Sequence, residues 1–73
     1  MKLEEIKKEK KLSSVEVYGS HDGEEWFRLS TPNKNSWISK NKAKSALESS
    51  YRFSDFKYIK YFEASGILSL KEI

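Results

Sequence analysis

The sequence predicts a small, mostly β domain, an antiparallel sandwich or barrel of short strands preceded by a short N-terminal helix. Three observations carry that expectation. Residues 15–29 read as a hairpin: Val15 and Val17 alternate with Glu16 and Tyr18, and Asp22-Gly23 then turns the chain. Period-two alternation marks a half-buried strand, and glycine accepts the positive φ of a tight turn. Residues 56–64 set Ile59 and Tyr61 against Tyr58, Lys60 and Phe62, so rings stand on both faces of one extended run. Such a strand belongs in the middle of a sheet, covered on both sides, or at an interface. Finally, five short strand candidates are separated by turn residues, the spacing of an all-β module.

Seventy-three residues allow one domain, near the lower size limit for a self-sufficient hydrophobic core. The chain has no cysteine, so disulfides and thiolate–metal staples are excluded. Ten residues are Phe, Tyr or Trp, and their large buried area must supply much of the core. Fourteen basic and eleven acidic residues leave a net charge of +3, a mixed surface rather than a polyanion-binding one. No run is apolar enough to span a bilayer, and residues 1–8 lack the apolar stretch of a secretory signal. A complete product of this kind is expected in the cytosol; for a piece of a secreted protein the sequence fixes no compartment.

Residues 1–12 form a charged leader and residues 13–73 the domain. The leader favours helix, with Leu3 and Ile6 on one face and Glu4 placed to pair with Lys8. It reads as a solvated helix or an extension of the first strand, and alternatively as a basic arm for phosphate or an acidic partner. His21, the single histidine, sits on the hairpin turn without a second ligand at metal spacing, and reads as solvated. Glu24 and Glu25 are adjacent and point to opposite faces, which does not suit a paired-carboxylate acid/base site.

Residues 31–35, Thr-Pro-Asn-Lys-Asn, are turn chemistry, and Trp37-Ile38 follows as an isolated apolar pair. Residues 41–48 predict a short helix with Ala43, Ala46 and Leu47 on one face. Lys34, Lys40, Lys42 and Lys44 make this the most basic portion of the chain. Two roles for Trp37 follow: a platform for a sugar, base or protein, or a ring packed down as a lid on the small core. Residues 51–53 alternate and read as a short strand with a bend at 54–55. Residues 67–73 are the last strand candidate, after a turn at Ser65-Gly66.

The segments Val15-Glu-Val-Tyr-Gly-Ser-His-Asp-Gly-Glu-Glu-Trp26, Phe56-Lys-Tyr-Ile-Lys-Tyr61 and Ile67-Leu-Ser-Leu-Lys-Glu-Ile73 together resemble the C-terminal half of a discoidin domain. This is the coagulation-factor type C, galactose-binding-like family. Its strand, Ser-x-Asp-Gly-x-x-Trp turn, Arg-Tyr-aliphatic-Arg strand and closing Ser-Leu-x-Glu-Ile strand fall here at Ser20, Asp22, Gly23 and Trp26, at residues 57–60, and at residues 69–73. The resemblance implies a truncated jelly-roll β-sandwich, a non-catalytic role, and recognition of sugars or anionic phospholipid. It also implies that Trp26 and Tyr58 are framework residues. Lysines stand where the family has its two arginines, losing the planar bidentate fork. A charged leader stands in place of the family's N-terminal half, so one sheet face is expected to be open to a partner.

No nucleophile elbow, Gly-rich phosphate loop or zinc spacing is present, and no cofactor is implied. The expected function is therefore a non-catalytic binding module. Glycan recognition would use Trp37 as platform with Asn33, Lys34 and Asn35 as polar groups. A protein adaptor or inhibitor, or a self-associating module, would use the ring-bearing strand through Tyr58, Ile59, Tyr61 and Phe62. Nucleic-acid binding through residues 34–44 is the weakest reading, because the charge is spread rather than focused.

Overall fold

A computed structural model describes residues 1–7, 15–32, 34–64 and 70–73. The class is the one expected: a small, mostly β domain organised on a four-stranded antiparallel sheet with short helices. The strands are β1 (Glu16–Ser20), β2 (Phe27–Leu29), β3 (Tyr58–Ala64) and β4 (Leu70–Glu72), in the order β2-β1-β3-β4. The helices are α1 (Leu3–Lys7), α2 (Lys40–Glu48) and α3 (Tyr51–Asp55).

Register follows from period two. Val17 faces Leu29 on one side and Tyr61 on the other, while Tyr18 faces Arg28 and Lys60. A one-residue slip would move each apolar set to the opposite face, so the pattern pins the pairing. The first face carries Val15, Val17, Leu29 and Tyr61 and is covered by Ala43 and Leu47 of α2 with Trp37, and by the partly buried Phe53 of α3. The second carries Tyr18, Trp26, Phe62 and Leu70 and is covered by Ile6 and Leu3 of α1. Tyr18 and Phe62 meet edge-on there, with centroids 5.6 Å apart.

The sheet is thus sandwiched between two apolar layers, and both layers are helical. This corrects the expectation of a vacant face: α1 fills one side and α2 with α3 the other. It also explains why β1, read as half-buried, is buried along its whole length. Glu16 is only 2% exposed. Its carboxylate accepts from the Tyr18 hydroxyl at 3.1 Å and pairs with Arg28 Nε at 3.3 Å, the partners a buried charge requires.

Local chemistry accounts for the helices. Ser39 is extended (φ −151°, ψ 161°), and its hydroxyl accepts the Lys42 N–H at 3.2 Å, capping α2. Ala43 and Leu47, four apart, then fall on the buried side. Glu5 accepts the Lys2 N–H at 2.9 Å, half of a capping box for α1. The Trp26 N–H donates to the Met1 carbonyl at 2.8 Å and seats α1 against the sheet.

Residues 51–53 are the correction in secondary structure: they open α3 instead of forming a strand. Alternation over three residues does not separate the two periods. The spacing of Phe53 and Phe56, three apart, places both against the α2-side core, and the Phe53 N–H donates to the Ser50 carbonyl at 3.2 Å. The remainder of the leader and residues 65–69, including the Ser65-Gly66 turn, lie outside the described residues.

Candidate binding site

The hairpin connection is longer than a two-residue turn, because Gly19 pairs with Phe27 and residues 20–26 bridge them. Asp22 organises it. Its Oδ1 accepts the N–H groups of Glu24 at 2.8 Å and Glu25 at 3.0 Å and the Ser20 hydroxyl at 3.1 Å. The Glu25 and then the Glu24 N–H hold the carboxyl at about 2, below its ordinary 3.8. Gly23 supplies the positive φ (83°) that lets the chain turn back. Asp22 and Gly23 are thus committed to structure.

His21 is exposed but not free in solvent as the sequence suggested. Its ring stacks on Phe56, with centroids 4.7 Å apart and planes 23° apart, and Phe56 in turn lies over Gly19. Phe27, 48% exposed, stands beside this stack at 6.1 Å from Phe56.

Trp37 is the chief correction to the predicted site. Its ring is 5% exposed and packs in the core with Val17 and Leu47, so its face is not a platform for a sugar or base. Backbone pairing holds it there. The Val15 N–H donates to the Trp37 carbonyl at 2.6 Å, and the Trp37 N–H donates back at 3.0 Å, which extends the sheet edge by one bridge. Its neighbour Ile38 is turned outward and is 81% exposed.

The proposed interface strand divides between the two faces. Tyr61 and Phe62 are buried, Ile59 is partly buried, and Tyr58 is 41% exposed. Tyr61 and Phe62 are therefore core residues and not an outward surface. Burial, and then the Glu48 carboxylate, push the Tyr61 phenol above its ordinary 10.0, while Lys40 Nζ lies 5.0 Å from its ring centroid. Of the two framework residues the resemblance implied, Trp26 is buried, but Tyr58 lies on the surface near Gly23. The Trp26 indole N–H is buried without an acceptor among the described residues.

Of the other predicted residues, Lys34 and Asn35 line adjoining hollows. The Thr31 and Lys34 backbones exchange hydrogen bonds at 3.0 and 3.1 Å, folding the loop back beside α2. Between that loop and the helix lies a valley of two adjoining hollows, each bounded by Ala46. One, of about 490 Å³, is lined by Lys34, Trp37, Ile38, Lys42, Ser45 and Ala46. The other, of about 640 Å³, is edged by Ser30, Thr31, Asn35, Ser49 and Ser50. Lys34 and Trp37 thus share one hollow and Asn35 lines the next, whereas Asn33 lies outside the described residues. Lys42, Ser45, Ala46 and Ser49 recur at helical spacing and form one wall, about 10 Å long at 1.5 Å per residue.

Charge is distributed unevenly over the surface. Arg28 pairs with Glu16, Lys60 with Glu72 at 2.9 Å and Lys71 with Glu63 at 3.8 Å. Lys34, Lys42 and Lys44 are exposed and have no carboxylate partner among the described residues. Sequence reasoning marked this segment as basic but missed Ile38 as its apolar contact; an aliphatic residue in a lysine-rich loop was the available signal.

No cluster of three metal-ligating side chains occurs among the described residues, and no described helix is long and apolar enough to cross a membrane. Comparison with family models, with curated proteins and with solved structures finds no match to this chain.

Proposed function

We propose that this domain is a non-catalytic recognition module that binds a partner protein in the valley between residues 30–38 and α2. One observation carries the reading: Ile38 stands 81% exposed at the lip of a hollow whose wall includes Trp37 and Ala46, beside two uncommitted lysines. An isolated exposed aliphatic residue means little, but one adjoining a concave, partly apolar hollow fits the pocket-and-anchor form of protein interfaces. The resemblance to half a discoidin domain supports a binding role over a catalytic one.

Glycan recognition is the second reading, favoured by the hydroxyl- and amide-edged hollow of Ser30, Thr31, Asn35, Ser49 and Ser50. It lacks an exposed ring face in the valley, since Trp37 is 5% exposed. Selection of a displayed random peptide library on the immobilised domain, with a glycan array run alongside, separates the two. The protein reading expects enriched peptides whose affinity falls about tenfold with Ile38→Ser, the scale of a modest hot spot. Retention of sugars with no peptide enrichment sinks it in favour of the second.

A further inference from the structure

The geometry points to a particular occupant: an extended peptide segment with an acidic side chain for Lys34 and Lys42 and an aliphatic side chain against Ile38. The inference rests on the protein-binding reading and names the chemistry of the partner.

Two independent features meet in one hollow of about 490 Å³. Lys34 and Lys42 both line it, and neither has a carboxylate partner among the described residues. Ile38, Trp37 and Ala46 supply its apolar wall. A ligand that satisfies only the charge leaves Ile38 in water, and a purely apolar one places two ammonium groups beside it without compensation. Side chains two residues apart on an extended strand share one face and stand about 7 Å apart, a separation that a hollow of this size spans. The ligand pattern is thus an acid and an aliphatic residue at i and i+2. The valley's length of about 10 Å along α2 holds about three extended residues.

Nucleic acid fits these features less well. Single strands bind through stacked bases along a basic track, and here Trp37 is buried and only two lysines line the hollow. Pairing between copies along the β2 edge is also disfavoured, because antiparallel self-pairing centred on Arg28 would set like charges opposite one another.

The test selects peptides at low salt from a displayed library and measures each winner against the parent domain and the Lys34→Glu/Lys42→Glu double variant. Both lysines are exposed, so the variant's melting temperature serves as a check that the fold is retained. The expected result is enrichment of Asp or Glu two positions from Leu, Ile or Val. Affinity should fall about tenfold on charge reversal and recover when the peptide's acids are changed to lysine. Neutral apolar peptides that respond to Ile38→Ser but ignore the charge reversal would overturn this inference and leave the protein-binding reading intact. A failure to enrich any peptide removes both. A single-stranded oligonucleotide that displaces the selected peptide at lower concentration than the peptide itself also overturns it, and assigns the lysines to nucleic acid.

Discussion

Gly19→Ala is expected to destabilise the domain through one contact, although Gly19 sits in a strand where alanine normally costs nothing. The backbone is permissive, since the described glycine with a positive φ is Gly23. The obstacle is the Phe56 ring. A Cβ at Gly19 would lie 2.6 Å from Phe56 Cγ and 2.9 Å from each Cδ, so the ring must move. Moving it disturbs the stack with His21 at 4.7 Å and the contact with Phe27 at 6.1 Å. Overpacking of this kind costs about 1–3 kcal/mol, and a lost aromatic pair adds about 0.5–1.5 kcal/mol. Replacing glycine returns about 0.4–1 kcal/mol by restricting the unfolded chain. The net is a loss of about 1–3 kcal/mol, a melting midpoint lower by roughly 6–20 °C for a domain of this size. Thermal and urea unfolding of Gly19→Ala, Phe56→Ala and the double variant isolate the cause. Without the ring, Gly19→Ala should be neutral or stabilising by about 0.4–1 kcal/mol. Equal losses in both backgrounds, or a gain in the parent, would refute the steric argument.

Three further outcomes follow from the same geometry. Trp37→Ala should cost about 3–5 kcal/mol, enough to unfold much of so small a domain, so circular dichroism must precede any binding assay of that variant; a fully folded Trp37→Ala protein would contradict the buried placement. Because the Glu25 and Glu24 N–H groups hold the folded Asp22 carboxyl at about 2, its contribution is present above the unfolded value of 3.8 and is lost as pH falls through about 2. A carboxyl NMR titration of Asp22 should inflect there, and an inflection near 3.8 would deny the turn's hydrogen bonds. Ser39→Ala should cost about 1 kcal/mol through the lost cap and speed amide exchange in the first turn of α2, and unchanged exchange there would show that the cap is idle.

Much of the fold was legible because the signals were local. Alternation in β1, strand-forming rings in β3, and Ala43 with Leu47 in α2 each specify an element without reference to anything distant. The middle position of β3, between β1 and β4, was likewise readable from rings on both of its faces. Of the candidate site residues read from the sequence, Lys34, Asn35 and Trp37 border the valley. The sequence did not specify which of Trp37 and Ile38 faces outward, because two adjacent apolar residues in a loop carry no period.

By itself, then, the sequence placed β1 to β4, the α2 helix and the basic loop, since propensity and period act over a few residues. Only the tertiary structure decided the rest. Residues 51–55 became helix because Phe53 and Phe56 both found the α2-side core. Glu16 became internal because α1 closes over the second face and Arg28 meets its carboxylate. Trp37 turned inward and Ile38 outward because a backbone pair with Val15 fixes the loop against the sheet edge. Each of these outcomes depends on partners many residues away, where no local pattern reaches.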